Sequence, residues 1–311
     1  MARRRGAAAA VAAAASSPAL VASISVMALA YYSTMFVFLD HWLGLGTAAG
    51  AAHGAAFSLV MAACFFSFVC AGAADPGSVP AGFSPDAEDP QGLKSRYCDK
   101  CCMYKPARTH HCKVCKRCVL KMDHHCVWIN NCVGYANYKP FIICVLNATI
   151  GSLYSSVIFV CDLLQTEHAF DLLYVKIIHV LAGVVLFSLC LTIGSLLCWH
   201  IYLMCHNMTT IEYREAVRAK WLAKKSGQNY RHRFDQGMRK NLQMVISRMA
   251  PSSRTRTTDQ DDGQHCCINT KCRWVNLFDD QIDHGCHWLV VTQADAKDSE
   301  IFCYFVTLCK A

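Results

Sequence analysis

Between Cys98 and Cys132 the chain reads CDKCCMYKPARTHHCKVCKRCVLKMDHHCVWINNC, eight cysteines and four histidines in 35 residues. Thiolates and imidazoles at this density are the donors of closed, tetrahedral zinc sites. A shift of 14 residues maps Cys98, Cys101, His110, His111, Cys112 and Cys118 onto Cys112, Cys115, His124, His125, Cys126 and Cys132, so two copies of one pattern interleave. Each copy is C-x2-C, then a histidine, then a cysteine. One set is Cys98, Cys101, His111 and Cys118; the other is Cys112, Cys115, His125 and Cys132. Spacing leaves His110 open as the alternative to His111, and His124 as the alternative to His125. The loop has few long apolar runs, so two structural zinc ions are expected to supply much of its folding free energy.

The repeat leaves one thiol over. A third site starting at Cys126 needs ligands near 129, 139 and 146, and those positions hold Ile129, Lys139 and Leu146. Cys126 is therefore expected to be unliganded, beside Asp123, His124 and His125. A spare thiol next to a histidine with an Asp neighbour is the outline of an activated nucleophile. The bland alternative is a buried structural cysteine or redundant ligand. Cys102 is also spare but lacks a His or Asp pair and reads as filler. Trp128, just after the thiol, is an interfacial residue type that would hold Cys126 near headgroups and lipid chains.

Such a loop must be held somewhere, and the rest of the chain points to a membrane. Of 311 residues, 54% are hydrophobic and 17% charged, too apolar for two ordinary soluble domains. Stretches without Asp, Glu, Lys or Arg run for 34 residues after Arg5, 34 after Asp40, 22 after Lys139 and 35 after Lys176. Each can hold the ~20 residues a spanning helix needs. Expected spans are 18–39, 48–74, 141–161 and 177–204, with Asp40 and then Asp162, Glu167 and Asp171 in the short connections. The fold class is thus an all-α integral membrane protein of four spans, with a small zinc-stabilised cysteine-rich domain between the second and third. Its parts are an N-terminal tip (1–17), spans one and two (18–74), the cysteine-rich domain (75–140), spans three and four (141–205) and a tail (206–311).

The net charge of +8 sits mainly in the tip, the central loop and the tail. By the positive-inside rule those parts face the cytosol, and no nucleic-acid partner is needed to explain the charge. The cytosol also keeps thiols reduced and able to bind metal. Arg3-Arg4-Arg5 before an Ala-rich run reads as an uncleaved tip, the alternative being a signal or transit peptide. The tail cysteines Cys266, Cys267, Cys272, Cys286, Cys303 and Cys309 fit no zinc pattern.

The run Asp123-His124-His125-Cys126, inside a cysteine-rich loop between the second and third of four spans, resembles the DHHC protein S-acyltransferases. The resemblance extends to Asp75-Pro76-Gly77, to Thr209-Thr210-Ile211-Glu212, to the run from Asn130 to Lys139, and in part to the segment from Phe234 to Leu242. It covers roughly residues 18 to 247. Val127 stands where many members have proline, and Ser247 where glycine is usual. The resemblance implies His111 and His125 as the metal ligands, Cys126 as nucleophile, His124 as its base and Asp123 as the group orienting His124. It implies that Thr210 and Glu212 brace the active-site loop and that Asn241 is the key residue of a C-terminal packing motif. The implied reaction moves a fatty acyl group from acyl-CoA, palmitoyl-CoA above all, through a Cys126 thioester to cysteines of cytosolic or membrane-associated proteins. The implied location is the endomembrane system (Golgi, ER or plasma membrane), with both termini and the active site cytosolic. Gly151, Ser152, Ser155 and Ser156 either line an acyl pocket, with Trp128 as a further contact, or serve close helix packing. The rival class is a membrane-anchored zinc-dependent adaptor, which has no use for a spare thiol in an Asp-His setting. A channel or transporter scaffold should carry charges within its spans, and none is expected here.

Overall fold

The structure, a computed structural model, describes residues 17–80, 82–84, 96–164 and 173–247. Glu167, Asp171, the N-terminal tip through residue 16 and the tail cysteines lie outside the described residues. Four helical segments are long and apolar enough to cross a bilayer: Pro18–Trp42, Ala48–Ala73, Tyr138–Leu163 and Lys176–Cys205. Their outward side chains are apolar, with Leu59, Phe66 and Ile178 largely exposed, as expected of helices whose solvent is lipid.

The first span has three parts. Helix α1 (Pro18–Tyr32) opens with proline, whose missing N–H is no loss at a helix start, and buries none of its side chains. It widens into a π-helical segment (Ser33–Leu39) and closes with α2 (Asp40–Leu43). The widened turn carries the packing: Ser33, Thr34, Met35, Phe38 and Leu39 are all buried there, and the Thr34 hydroxyl reaches Ser155 at 2.8 Å. Gly44 at φ 74° ends the helix, and the Thr47 hydroxyl accepts from the Gly50 N–H to start α3 (Ala48–Ala73). Helices α4 (Tyr138–Leu163) and α5 (Leu173–Cys205) complete the bundle. Phe38, Phe57, Ile158, Phe159 and Leu186 form a core drawn from all four spans.

One expectation about the connections is overturned. Asp162 lies in the last turn of α4, fully buried, with one oxygen 2.7 Å from His41 Nδ1 and the other 2.6 Å from His179 Nε2. A carboxylate is tolerated there because two imidazoles compensate it. Histidine does not register in a count of charged residues, so this pairing was invisible to the charge gaps.

The expectation of an all-α chain also needs correction, because the cysteine-rich domain is built from three short antiparallel hairpins: β1 (Arg96–Cys98) with β2 (Met103–Lys105), β3 (His110–Cys112) with β4 (Arg117–Val119), and β5 (His124–Cys126) with β6 (Asn131–Val133). The pairings Tyr97↔Tyr104, His111↔Cys118 and His125↔Cys132 sit 14 residues apart in succession. The repeat therefore has three copies, not two. The first carries no ligand pair, since a Tyr97–Tyr104 edge contact stands where the later copies place a histidine and a cysteine. Each hairpin turns through a residue of positive φ at the same place, Cys102 (51°), Lys116 (52°) and Asn130 (49°).

The domain is pinned to the end of the second span by side-chain amides. Asn131 Nδ2 donates toward the carbonyls of Ala71, Gly72 and Ala74, which a helix C-terminus leaves unpaired. Asn137 Nδ2 donates to the Ala71 and Cys132 carbonyls, and its oxygen accepts from Gly134 N–H. Gly72 permits the approach, since a Cβ there would lie 3.1 Å from the Ile129 carbonyl oxygen. In the Asp75-Pro76-Gly77 turn, Asp75 accepts from Gly77 N–H and Arg117, while the Pro76 and Gly77 carbonyls accept from Ala136 and Leu120. After the fourth span come α6 (Thr210–Lys225) and α7 (Met238–Ser247).

Candidate active site and metal centres

The hairpins bring both expected ligand sets together. The donor atoms of Cys98, Cys101, His111 and Cys118 lie within 4.8 Å of one another, and so do those of Cys112, Cys115, His125 and Cys132. His111 Nδ1 is 3.6, 3.2 and 3.9 Å from the sulfurs of Cys98, Cys101 and Cys118. His125 Nδ1 is 3.7, 3.4 and 3.6 Å from those of Cys112, Cys115 and Cys132. A tetrahedron with zinc bonds of ~2.3 Å to sulfur and ~2.05 Å to nitrogen has S···N edges of about 3.6 Å. The shells thus have the size of zinc. Their chemistry agrees: burial and the neighbouring Cys98 push the Cys118 thiol up to about 12, and Cys115 with burial pushes Cys132 up as well. Three thiolates in one shell resist ionising together unless a cation lies among them. Geometry also selects between neighbours, since His111 and His125 face the sulfurs, not His110 and His124.

Each C-x2-C segment is a turn whose backbone N–H groups point at the first sulfur. Cys115 N donates to Cys112 Sγ at 3.3 Å, and the N–H groups of Cys101 and Lys100 serve Cys98 in the same way. The third copy repeats this turn at Cys126, where Ile129 and Trp128 supply the N–H groups, but isoleucine replaces the second cysteine. Cys126 thus occupies a thiolate cradle with no metal shell around it. It is buried among Phe68, Ala71, Ile129, Val133, Phe141 and Val145, where the domain meets the bundle.

What replaces the metal is an imidazole. Asp123 Oδ2 lies 2.7 Å from His124 Nδ1, and Asp123 in turn accepts from Thr210 N–H (3.0 Å) and the Thr210 hydroxyl (2.7 Å). His124 and Cys126 act on one another, each favouring the other's charged form. Burial works against ionisation of Asp123, yet the His124 bond and charge and the Thr210 bond hold its carboxyl down at about 2. Burial likewise opposes a charged His124, but Asp123 and then Cys126 raise it to about 10. Burial would raise Cys126, and His124 with the two backbone N–H groups brings it below the ordinary thiol value. In Asp123, His124 and Cys126 the shifts run in the direction that favours a thiolate–imidazolium pair.

Thr210 reaches Asp123 because α6 starts at that point. Thr209 and Glu212 form a capping box, the Thr209 hydroxyl accepting from Glu212 N–H and the Glu212 carboxylate from Thr209 N–H. Arg108, at φ 67° in the loop domain, donates two 2.6 Å bonds to the Glu212 carboxylate and others to Asn207 Oδ1 and O. Asn241 is fully buried and closes the far side, donating to the Cys205 carbonyl and Asp235 and accepting from Gln236 N–H.

Other expected residues lie elsewhere. Trp128 is half exposed, and its carbonyl accepts from Ser23 at 3.3 Å. Cys102 is exposed, its sulfur near the Asp99 carbonyl. Gly151 abuts Met61 and Val60, and Ser155 meets Thr34, so these small residues mediate helix contacts. Arg108, Tyr138 and His200 were missed by sequence reasoning. His200, from the last two turns of α5, has a donor atom within 4.8 Å of Asp123 and His124, and its Nδ1 is 3.2 Å from the Tyr138 hydroxyl. A histidine within an apolar span was the available signal.

Comparison with known proteins places this geometry. Residues 92–217 match the DHHC palmitoyltransferase family model. Probable protein S-acyltransferase 15 of Arabidopsis thaliana is 52% identical over 226 residues, 71% of this chain and 89% of that protein. Probable protein S-acyltransferase 16 of the same organism is 43% identical over 246 residues, covering 74% and 86% of the two chains. Palmitoyltransferase ZDHHC2 of Homo sapiens is 34% identical over 159 residues, 49% and 40% of the two. With its hairpin domain, metal shells and Asp-His-Cys relay set between two pairs of apolar helices, the chain belongs to the DHHC palmitoyltransferase family.

Proposed function

We propose that the protein is a membrane-embedded protein S-acyltransferase that moves a fatty acyl group from acyl-CoA to cysteines of cytosolic or membrane-associated proteins through a Cys126 acyl-enzyme. The observation that carries this is the relay from Thr210 through Asp123 and His124 to a thiol held in a metal-free turn. An adaptor would give that relay no work.

The Cys126 thiolate attacks the acyl-CoA carbonyl carbon, a new thioester forms, and the CoA sulfur leaves with the bonding pair and takes the proton held on His124. His124, now neutral, removes the proton of an incoming substrate cysteine, whose sulfur attacks the acyl-enzyme. Cys126 leaves as thiolate and the resting pair is restored. Thioester exchange is nearly balanced in energy, so positioning and exclusion of water are the main contributions of the protein. Asp123 keeps the imidazole in one orientation, and Thr210 keeps Asp123 there. Two zinc ions, held by the two Cys3His sets, would fix the hairpins that aim Cys126. The active-site loop and both termini face the cytosol, as the distribution of basic residues supports, and the protein resides in the endomembrane system.

Hydroxylamine-sensitive incorporation of a fatty acyl-CoA label into purified protein tests this. Label in wild type that disappears in Cys126→Ser is the expected result. Label that persists in the mutant would overturn the assignment of the nucleophile, and absence of label in folded, metal-loaded wild type would overturn acyl transfer.

A further inference from the structure

We propose that α6 lies on the bilayer surface and binds anionic phospholipid headgroups. Tyr213, Val217 and Trp221 are spaced by four and form one stripe along the helix. The stripe begins on the fourth span. Tyr213 meets Trp199 edge-on with ring centres 4.6 Å apart, and Tyr202 at 6.0 Å. Trp199 lies almost two turns back from the end of α5 at Cys205, so the first turn of α6 packs beside the end of the span. Beside Tyr213, Ala216 is buried against Leu203 and Met208. The rest of the stripe has no such cover: Val217 is 50% and Trp221 56% exposed.

The charges flank this stripe. Arg214, Arg218 and Lys225 project to one side, Lys220 to the other, and Lys224 continues the line of the stripe past Trp221, all five exposed. Lys225 folds over the Trp221 ring, its Nζ 3.7 Å from the centroid. Of the two acids, Glu212 is buried against Arg108 and Glu215 points away from Trp221. An aromatic and aliphatic stripe bordered by cations, continuing from a tryptophan and a tyrosine on a spanning helix, matches the boundary between acyl chains and phosphates. Juxtamembrane basic residues are each drawn to anionic headgroups, and five act together here. A soluble acidic protein would satisfy the cations but would not account for the stripe being aimed from the span.

The test uses the full chain in nanodiscs of phosphatidylcholine alone or mixed with phosphatidylserine, with bromine placed on the lipid chains near the headgroups. The emission of Trp221 is obtained by subtracting Trp221→Phe from wild type. That difference should be quenched by the brominated lipid and shielded from aqueous iodide, more strongly with phosphatidylserine. Replacing the five basic residues by glutamine should abolish the phosphatidylserine dependence. A difference signal quenched by iodide and indifferent to bromine, or one with no phosphatidylserine dependence in wild type, overturns the proposal. Quenching of the remaining tryptophans, which include Trp42 and Trp199, reports separately whether the spans are in the bilayer.

Discussion

The Arg108–Glu212 pair joins the metal-binding domain to the cap of α6, and its removal has a calculable cost. Both side chains are nearly buried, 12% and 7% exposed, and two 2.6 Å bonds connect them. Removing one partner strands the other, which costs ~3–5 kcal/mol for a buried pair. Replacing both by apolar residues of similar size removes both charges, and the residual loss is that of the helix cap and of the Arg108 bonds to Asn207, together ~2 kcal/mol. Arg108→Met and Glu212→Met should therefore each be far less stable than wild type, while the double variant should be more stable than either. At ~2–4 °C per kcal/mol for a domain of this size, each single change lowers the apparent melting temperature by roughly 6–20 °C, and the double by only ~4–8 °C. Thermal unfolding in detergent, followed by monodisperse elution, reads this directly. Additive losses in the double variant, or single variants within about 2 °C of wild type, would refute the argument that the pair is a buried, coupled junction.

Cys126→Ser should abolish acyl-enzyme formation while keeping metal content and elution profile, whereas Cys112→Ser should lose one of two zinc ions by elemental analysis and destabilise the domain. The rate of iodoacetamide labelling at Cys126, read by peptide mass spectrometry, should rise less steeply from pH 7 to 9 than that of an ordinary thiol, which gains about tenfold per unit below its pKa of ~8.5, because His124 lowers the Cys126 thiol. Asp123→Asn should restore that steep rise, because Asp123 is the strongest group holding His124 charged, and should slow acylation by on the order of 10²–10⁴. The stability due to the raised His124 is fully present below ~6.5 and is lost as pH rises through about 10, so wild type but not Asp123→Asn should show that alkaline loss in a pH series of melting curves.

The spans and ligand sets were legible because each rests on local pattern: apolar length for the helices, and the 14-residue repeat for the cysteines. The choice of His111 and His125 was not legible in spacing, because adjacent histidines differ only in which side of the hairpin they occupy. The first hairpin was hidden since Tyr97 and Tyr104 preserve the pairing but not the ligands. Asp162 was assigned to a connection because a carboxylate ends a charge gap, and only tertiary structure shows it between His41 and His179. The same holds for Arg108, whose partner Glu212 is 104 residues away, and for the π-helical turn, which exists to seat Met35, Phe38 and Leu39 in the bundle.

The three equivalent turns have a consequence in synthetic terms: zinc ions held by the two ligand sets would act as protecting groups. Cys98, Cys101 and Cys118 face one ion site and Cys112, Cys115 and Cys132 another, while Cys126 sits in the same kind of turn without one. A zinc-bound thiolate gives up much of its nucleophilicity to the metal, so acyl donors and other soft electrophiles meet a loop in which most sulfur is masked. Of eight sulfurs in 35 residues only Cys126 and the exposed Cys102 would then stay unmasked, and Cys126 alone stands beside a histidine paired with an aspartate; an agent that strips bound zinc would unmask competitors for the acyl group at the same moment that it unfolds the site.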